Sequence, residues 1–258
     1  MKENLFLKKF QQKEATVGTF FVLGNELLSE ALAFSDLDYL IVDCEHGPLD
    51  VESTMRMIPG VELHGKTLLA RTRDTSRTSI LKLLDIGAHG LIIPQVHTVD
   101  EVRKIVEYGK YFPVGKRGMA KGRGAGWGYE PVDTGNIQDY FDFCNQNTLL
   151  IPQCETMGAL ENIEEIAAME GVDGIFIGPF DLSVALGIPT QFDRPEFKEA
   201  VARILKATHD AGKFCMMYCN DPETGKKWLE MGFDSVTVAN DVNVYVNAMN
   251  ELVKATKI

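Results

Sequence analysis

Two carboxylates, Glu155 and Asp181, stand 26 positions apart in the stretch Leu149–Leu182, each just beyond an apolar run. That separation is close to one strand–helix repeat of a parallel α/β fold, in which a whole βαβ unit takes roughly 30 residues or more. On neighbouring parallel strands their oxygens would converge on one rim, as a two-carboxylate site for a metal ion. Taken singly, Glu155 also reads as a first-turn residue complementing a helix dipole, and Asp181 as an N-cap before LSVAL.

Other polar residues follow other apolar runs: Asp43, Glu45 and His46 after YLIV, Arg71 at the end of TLLAR, and Gln153 two residues before Glu155. Two hard oxygen ligands with positions left open suit Mg²⁺ or Mn²⁺, whereas zinc would call for more imidazole or thiolate. A lone histidine is often a hydrogen-bonded structural residue. His46, however, has Asp43 and Glu45 beside it, carboxylates that would raise its pKa and orient it for proton transfer. Arg71 suits either a stabilising ion pair or the charge of a developing oxyanion.

The elements that must position these groups alternate. Strand patterns cover Val17–Leu23, Tyr39–Asp43, Lys66–Arg71, Gly90–Val96, Leu149–Gln153, Gly174–Gly178, Phe214–Cys219 and Asp234–Ala239. Between them lie helical patterns at Glu26–Phe34, from near Leu49, and at Ser76–Ile86, Asp100–Tyr108, Ile137–Asn145, Gly158–Met169, Glu196–Ala211 and Glu223–Met231. About eight such beats in 258 residues predict a single (β/α)8 TIM barrel domain spanning 1–258. A final amphipathic segment, Val242–Val253, offers Val244, Val246, Met249 and Leu252 to the barrel or to a neighbouring subunit. The glycine-rich segment 111–134, with Lys116, Arg117, Lys121 and Arg123, interrupts the rhythm; it reads as a rim, lid or subunit contact, or as a solvated excursion.

Composition excludes several classes. A net charge of −11 disfavours nucleic acid and anionic membranes as partners. The five cysteines are odd in number and form no CxxC, which predicts reduced core thiols in a cytoplasmic protein. Cys44 and Cys154 fall at alternate strand positions and read as packing. The N-terminal MKENLFLKKFQQKEA lacks the apolar core of a signal peptide, and no apolar run approaches the roughly 18 residues needed to span a bilayer.

The segments IVDCEHGPLD, LLDIGAHGLIIPQV, GKRGMA, PQCET and GVDGIFIGPFDLSVALGIP resemble the metal-dependent pyruvate aldolases of the HpcH/HpaI group. The resemblance covers most of the chain. It implies a (β/α) barrel with its last helix exchanged between subunits in a homo-oligomer, a trimer or hexamer. It also implies a divalent metal (Mg²⁺, Mn²⁺ or Co²⁺), no organic cofactor, and cleavage of a 4-hydroxy-2-oxo acid to pyruvate, or a related 2-oxo acid, plus an aldehyde. By the same resemblance Glu155 and Asp181 are the metal ligands, His46 the base and Arg71 the holder of the 2-oxo group. Asp85, 14 positions beyond Arg71, matches a carboxylate that pairs with the histidine. Gln153 contacts substrate with Gly178, Pro179 and Phe180, and the backbone N–H groups of Phe180 and Asp181, at the turn after Gly178-Pro179, bind its carboxylate. Asp43 and Glu45 support the site from behind. The chain departs from the group at Phe20, often tryptophan there, at Phe180, usually small, at Asn240-Asp241, and in the loop after GKRGMA. Two alternatives stand beside this reading: an acyl-CoA lyase of the citrate-lyase or malyl-CoA type, whose basic groove would have to be Lys116–Arg123, and a non-catalytic 2-oxo-acid binding protein. Lys66 begins a predicted strand, but no lysine lies in the interior of one, which speaks against Schiff-base chemistry.

Overall fold

Short apolar runs bounded by polar turns form the strands, and the longer amphipathic segments between them return as helices. The computed structural model describes residues 3–129 and 135–257. After helix α1 (Leu5–Gln11) the order is β1 (Thr16–Phe21), α2 (Glu26–Ala33), β2 (Tyr39–Asp43), α3 (Val51–Leu63), β3 (Thr67–Arg71), α4 (Arg77–Asp85), β4 (Gly90–Ile93), α5 (Val99–Gly109), a 3₁₀ segment at Arg123–Gly128 and α6 (Ile137–Asn147). It continues with β5 (Leu149–Cys154), α7 (Met157–Glu161), α8 (Ile163–Ala168), β6 (Gly174–Ile177), α9 (Pro179–Ala185), α10 (Pro195–Asp210), β7 (Phe214–Cys219), α11 (Pro222–Glu230), β8 (Ser235–Asn240) and α12 (Asp241–Thr256). All eight strands pair in parallel in chain order and β8 closes on β1, giving the expected TIM barrel.

Alternation along the strands divides the core in two. Leu40, Val42, Leu68, Ala70, Ile175 and Ile177 face the helices, together with Cys44 and Cys154. Tyr39, Ile41, Leu69, Ile151, Phe176 and Met216 fill the barrel. All five cysteines are free and buried, as packing thiols should be. At the N-terminal end of the strands, helix α1 supplies a plug that sequence periodicity does not reveal. Phe6, 2% exposed, sets its ring edge-on against Tyr39 and Phe214 at 5.4 and 4.9 Å. The Tyr39 ring needs the space beside Gly18, where a Cβ would lie 2.2 Å from it, and its hydroxyl meets Ser235 Oγ and Thr237 Oγ1 at 2.9 Å.

Three local differences have physical causes. The helix expected over Gly158–Met169 is broken at Asn162, whose Nδ2 donates to Gly158 O at 2.8 Å and so competes with the helix backbone for that carbonyl. Strand β4 stops at Ile93, because Pro94 lacks an N–H and Gln95 turns left-handed at φ 53. Asp181, expected as an N-cap in a loop, lies within the first turn of α9, with Gly178 at the cap and Pro179 pre-set for the first helical position.

The described part of the glycine-rich segment, residues 111–129, is not a lid over its own barrel. It follows α5, which ends at the N-terminal side of the strands, and its cations pair there. Lys116 lies 3.2 Å from Glu107, Arg117 reaches Asp85 at 3.0 Å, and Arg123 donates to Ile86 O at 2.9 Å.

If α1 closes the barrel floor, Phe6→Ala leaves a hole of ring size at the centre of a packed cluster. Phe→Ala substitutions of this kind cost about 3–5 kcal/mol. Urea unfolding should show a midpoint lowered accordingly, and an unchanged midpoint would remove α1 from the core.

Candidate active site

The same alternation that fills the barrel decides which side chains reach its mouth. Asp43 is the last inward residue of β2 and pairs in register with Arg71 of β3. Tyr39 and Ile41 below Asp43, and Leu69 below Arg71, point the same way. Two polar residues thus end two inward apolar columns, side by side. The Arg71 Nε and Nη2 donate to Asp43 Oδ1 and Oδ2 at 2.9 and 2.6 Å, a two-pronged bond, while Nη1 lies 3.1 Å from Glu45 Oε2. The guanidinium also sits 4.7 Å from the centre of the Phe20 ring. Burial would push the Asp43 carboxyl up, but the Arg71 fork and the Glu45 and His46 backbone N–H groups outweigh it and hold it below the usual range.

On β5 the inward residue Gln153 is followed by Glu155, only 2% exposed. Gln153 Nε2 donates to Glu155 Oε2, and Gln153 Oε1 is buried with no partner. Glu155 Oε1 accepts twice from Gln95, from its backbone N at 2.8 Å and its side-chain Nε2 at 3.1 Å. Gln95 belongs to the site and was absent from the expected set, because GLIIPQV reads as uninterrupted strand. The available signal was a polar residue after Pro94 at a strand's carboxyl end. Burial, with the neighbouring charges of Asp181 and Glu45, pushes the Glu155 carboxyl up to about 7.

Asp181 and Phe180 lie on the first turn of α9 beside this group. Gly178 is there of necessity, since a Cβ would come within 2.5 Å of both Gln153 Nε2 and Glu155 Oε2. A cavity of about 270 Å³ opens here, lined by Asp43, His46, Arg71, Gln153, Asp181 and Asn240, with Phe20, Phe176, Phe180 and Tyr218 among its apolar lining. His46 is at the mouth with its side chain 69% exposed and its Nε2 3.8 Å from Glu45 Oε2, beyond hydrogen-bond reach. The expectation that Asp43 orients its ring does not hold. Both Asp43 oxygens are committed to Arg71, and His46 bonds Asp43 only through its backbone N–H at 3.3 Å.

Asp85 does not join this set. It is the last residue of α4, a helix that returns from the carboxyl end of β3 to the N-terminal end of β4, and it pairs with Arg117 there. A helix antiparallel to its strand carries its last residue to the opposite rim, so within one chain Asp85 cannot meet His46. Among the described residues no lysine lines the cavity. The buried Lys110 is held at the far end by Asn145 O, Thr148 O and Asp173.

The donor set fits a hard divalent cation. Two carboxylates and an orphaned amide oxygen are all oxygen ligands, and the raised Glu155 carboxyl marks an excess of negative charge that a cation would relieve. Among the described residues no group of three Asp, Glu, His or Cys side chains could hold a metal ion, so the candidate donors are the two carboxylates and the Gln153 amide oxygen.

A closed parallel barrel with an acid-rich, arginine-bearing mouth at the carboxyl ends of its strands is the place where TIM-barrel enzymes hold their chemistry, and comparison gives the family. Residues 16–248 match the HpcH/HpaI aldolase/citrate lyase model, and the chain belongs to that family of aldolases. It is 31% identical over 250 residues to a 2-keto-3-deoxy-L-rhamnonate aldolase of Escherichia coli, covering 96% of this chain and 91% of that one. An HpcH/HpaI aldolase structure from Desulfitobacterium hafniense superposes with a TM-score of 0.90 at 29% identity, covering 98% and 96% of the two chains. A family member from Burkholderia cenocepacia gives 0.89 at 27%, covering 98% of each. Among the described residues no helix is long and apolar enough to cross a membrane.

The raised Glu155 carboxyl has a consequence for stability without metal. From an ordinary 4.5 to about 7, the folded chain holds a proton that the unfolded chain has lost. This group's contribution is therefore complete below about pH 4.5 and falls away as pH rises to about 7. In EDTA, the melting temperature should decline across that window, and Glu155→Gln should remove most of the slope. A slope unchanged in the variant would assign the effect to another group.

Proposed function

We propose that this protein is a divalent-metal-dependent aldolase that reversibly cleaves a 4-hydroxy-2-oxo acid to pyruvate, or a close 2-oxo acid, and an aldehyde. The observation that carries this is one rim on which Arg71, Gln153, Asp181 and the accessible His46 imidazole line a single cavity, with the buried Glu155 bonded to Gln153 beside it. The names of the curated relatives, 2-keto-3-deoxy-L-rhamnonate aldolases, support a 2-oxo acid as the substrate class.

Glu155 and Asp181 would hold the cation, Mg²⁺, Mn²⁺ or Co²⁺, whose chemistry when bound is Lewis-acid polarisation of the 2-oxo group. The other steps belong to the chain. First-turn amides of a helix lack intrahelical partners, so the Phe180 and Asp181 N–H groups are available to the substrate carboxylate, with Pro179 and Gly178 bringing the backbone close. Gln153 contacts the oxo acid. Arg71, held rigid by Asp43 and backed by Glu45, stabilises the negative charge that grows on the 2-oxo oxygen. His46 takes the proton from the 4-hydroxyl. The O–H pair becomes the aldehyde carbonyl, the C3–C4 bond breaks, and its electrons form the C2–C3 double bond of the enolate, which picks up a proton at C3 to give the 2-oxo acid.

Pyruvate release from a 4-hydroxy-2-oxo acid should require added Mg²⁺, Mn²⁺ or Co²⁺ and stop with EDTA. His46→Ala is expected to lower kcat by about 10²–10⁴-fold while oxalate still binds. Covalent trapping of pyruvate by borohydride would sink the mechanism, since it reports a Schiff base.

We further propose that α12 packs on a neighbouring subunit in a homo-oligomer. Within this 16-residue helix the buried residue is Asp241, which accepts the Val22 and Leu23 N–H groups at 3.0 and 3.1 Å. Val244, Tyr245, Val246, Met249, Leu252 and Val253 are exposed. A row of large apolar side chains on one helix is a surface that association covers. Light scattering after size exclusion should give a trimer or hexamer, and the double change Val246→Asp, Leu252→Asp a smaller mass. A wild-type monomer would refute the assembly.

A further inference from the structure

The cavity is chemically two-sided, and the charged side accounts for only half a substrate. Adjoining Arg71 and Gln153 stands a continuous aromatic wall. The Phe20 ring has the Arg71 guanidinium 4.7 Å from its centre and meets Phe176 at 6.1 Å and Tyr218 at 5.8 Å. Tyr218 in turn lies 6.1 Å from Phe180, which is braced from behind by Phe192 at 5.4 Å. Polar groups on this side are few and partly engaged: the Tyr218 hydroxyl donates to Asn220 Oδ1 at 3.1 Å, and Asn240 Oδ1 accepts the Asn243 N–H at 2.9 Å as the cap of α12. Among the described lining residues Arg71 is the one permanent cation, and its three nitrogens already face Asp43 and Glu45.

We infer that the aldehyde this enzyme releases and accepts carries an apolar substituent, a phenyl or alkyl group, rather than a second carboxylate or a chain of hydroxyls. The inference rests on the aldolase reading above and deepens it. With the oxo-acid end held by Arg71, Gln153 and the acid-rich edge, the substituent on C4 is left facing the aromatic wall. A carboxylate there would meet no free counter-charge, and buried hydroxyls would lose water without gaining partners. A ring or alkyl chain gains burial and, for a ring, edge-to-face contacts with Phe180 and Tyr218. Phe180 and Tyr218 are thus specificity-determining residues, acting on the part of the substrate that does not react.

The test offers pyruvate and Mg²⁺ to the full-length protein with benzaldehyde, butanal, glyceraldehyde or succinic semialdehyde, and compares kcat/KM for aldol formation. Exchange of the pyruvate methyl protons with D₂O is followed in parallel. The apolar aldehydes should exceed the other two by at least about tenfold, the scale on which a pocket separates substrates by hydrophobic fit. Phe180→Ala and Tyr218→Leu should each shrink the benzaldehyde-to-glyceraldehyde ratio by about tenfold; a ratio cancels losses common to both substrates. If pyruvate exchanges but the semialdehyde or glyceraldehyde is preferred, or if the ratio is untouched in both variants, the inference is overturned and the aldolase reading stands. If neither exchange nor addition occurs with any aldehyde, the aldolase reading itself fails and carries the inference with it.

Discussion

Two-residue alternation along eight closed parallel strands governs which side chains can meet in this protein. Every second residue points into the barrel, so each inward column must end at the mouth in one residue that is no longer packed. Phe20, Asp43, Arg71, Gln153 and Tyr218 occupy those terminal places on five strands and line a common cavity. Moving any one of them by a single position would turn it toward the helices, into the apolar layer where Cys44 and Cys154 lie. Closure adds a second demand, because an interior this narrow must be filled at the other end. Phe6, Tyr39 and Phe214 do so with rings packed edge to face.

The mouth gathers more negative charge than it neutralises. Arg71 satisfies Asp43 in full and lies 3.1 Å from Glu45. Glu155 has two bonds from Gln95 and one from Gln153, and these with the attraction of Arg71 fall short of burial and the charges of Asp181 and Glu45, so its carboxyl is pushed up to about 7. Asp43 and Glu155 are both carboxylates buried at strand ends; burial pushes both up, but the Arg71 fork and two backbone N–H groups overcome it at Asp43 while the bonds to Glu155 do not. An all-oxygen group with unrelieved charge is what a hard divalent ion requires. Gln95 contributes to this from an unusual backbone state: its φ of 53 turns its N–H onto Glu155 in place of a ladder bond. Strained backbone of this kind persists where surrounding contacts hold it.

Across the cavity the character changes within one side chain. Phe20 has Arg71 on its face and aromatic neighbours around its edge, so it separates the charged half from the apolar half. The charged half suits the small oxo acid proposed as substrate; the apolar half includes Phe20 and Phe180, two of the positions at which the sequence reads as departing from the group it resembles. On the reading proposed above, reaction type and substrate choice fall to different walls of one pocket.

Much of this was legible in the chain alone. Eight repeats, the short buried strands and the residues that close them follow from local periodicity and turn chemistry, and so do an all-oxygen donor pair and the lack of a strand lysine. Strands Tyr39–Asp43 and Phe214–Cys219 have the boundaries that pattern predicts, because their apolar runs stop abruptly at polar residues. What spacing could not decide was direction and distance. Asp85 follows Arg71 at a suggestive interval, but an antiparallel helix carries it to the opposite rim, where Arg117 takes it. Gln95 looks like strand until Pro94 ends the ladder, Asp181 looks like a cap until α9 starts two residues before it, and α1 has no pattern marking it as a plug. In each case the local sequence permits several conformations of similar energy, and contacts with residues far away in the chain select one.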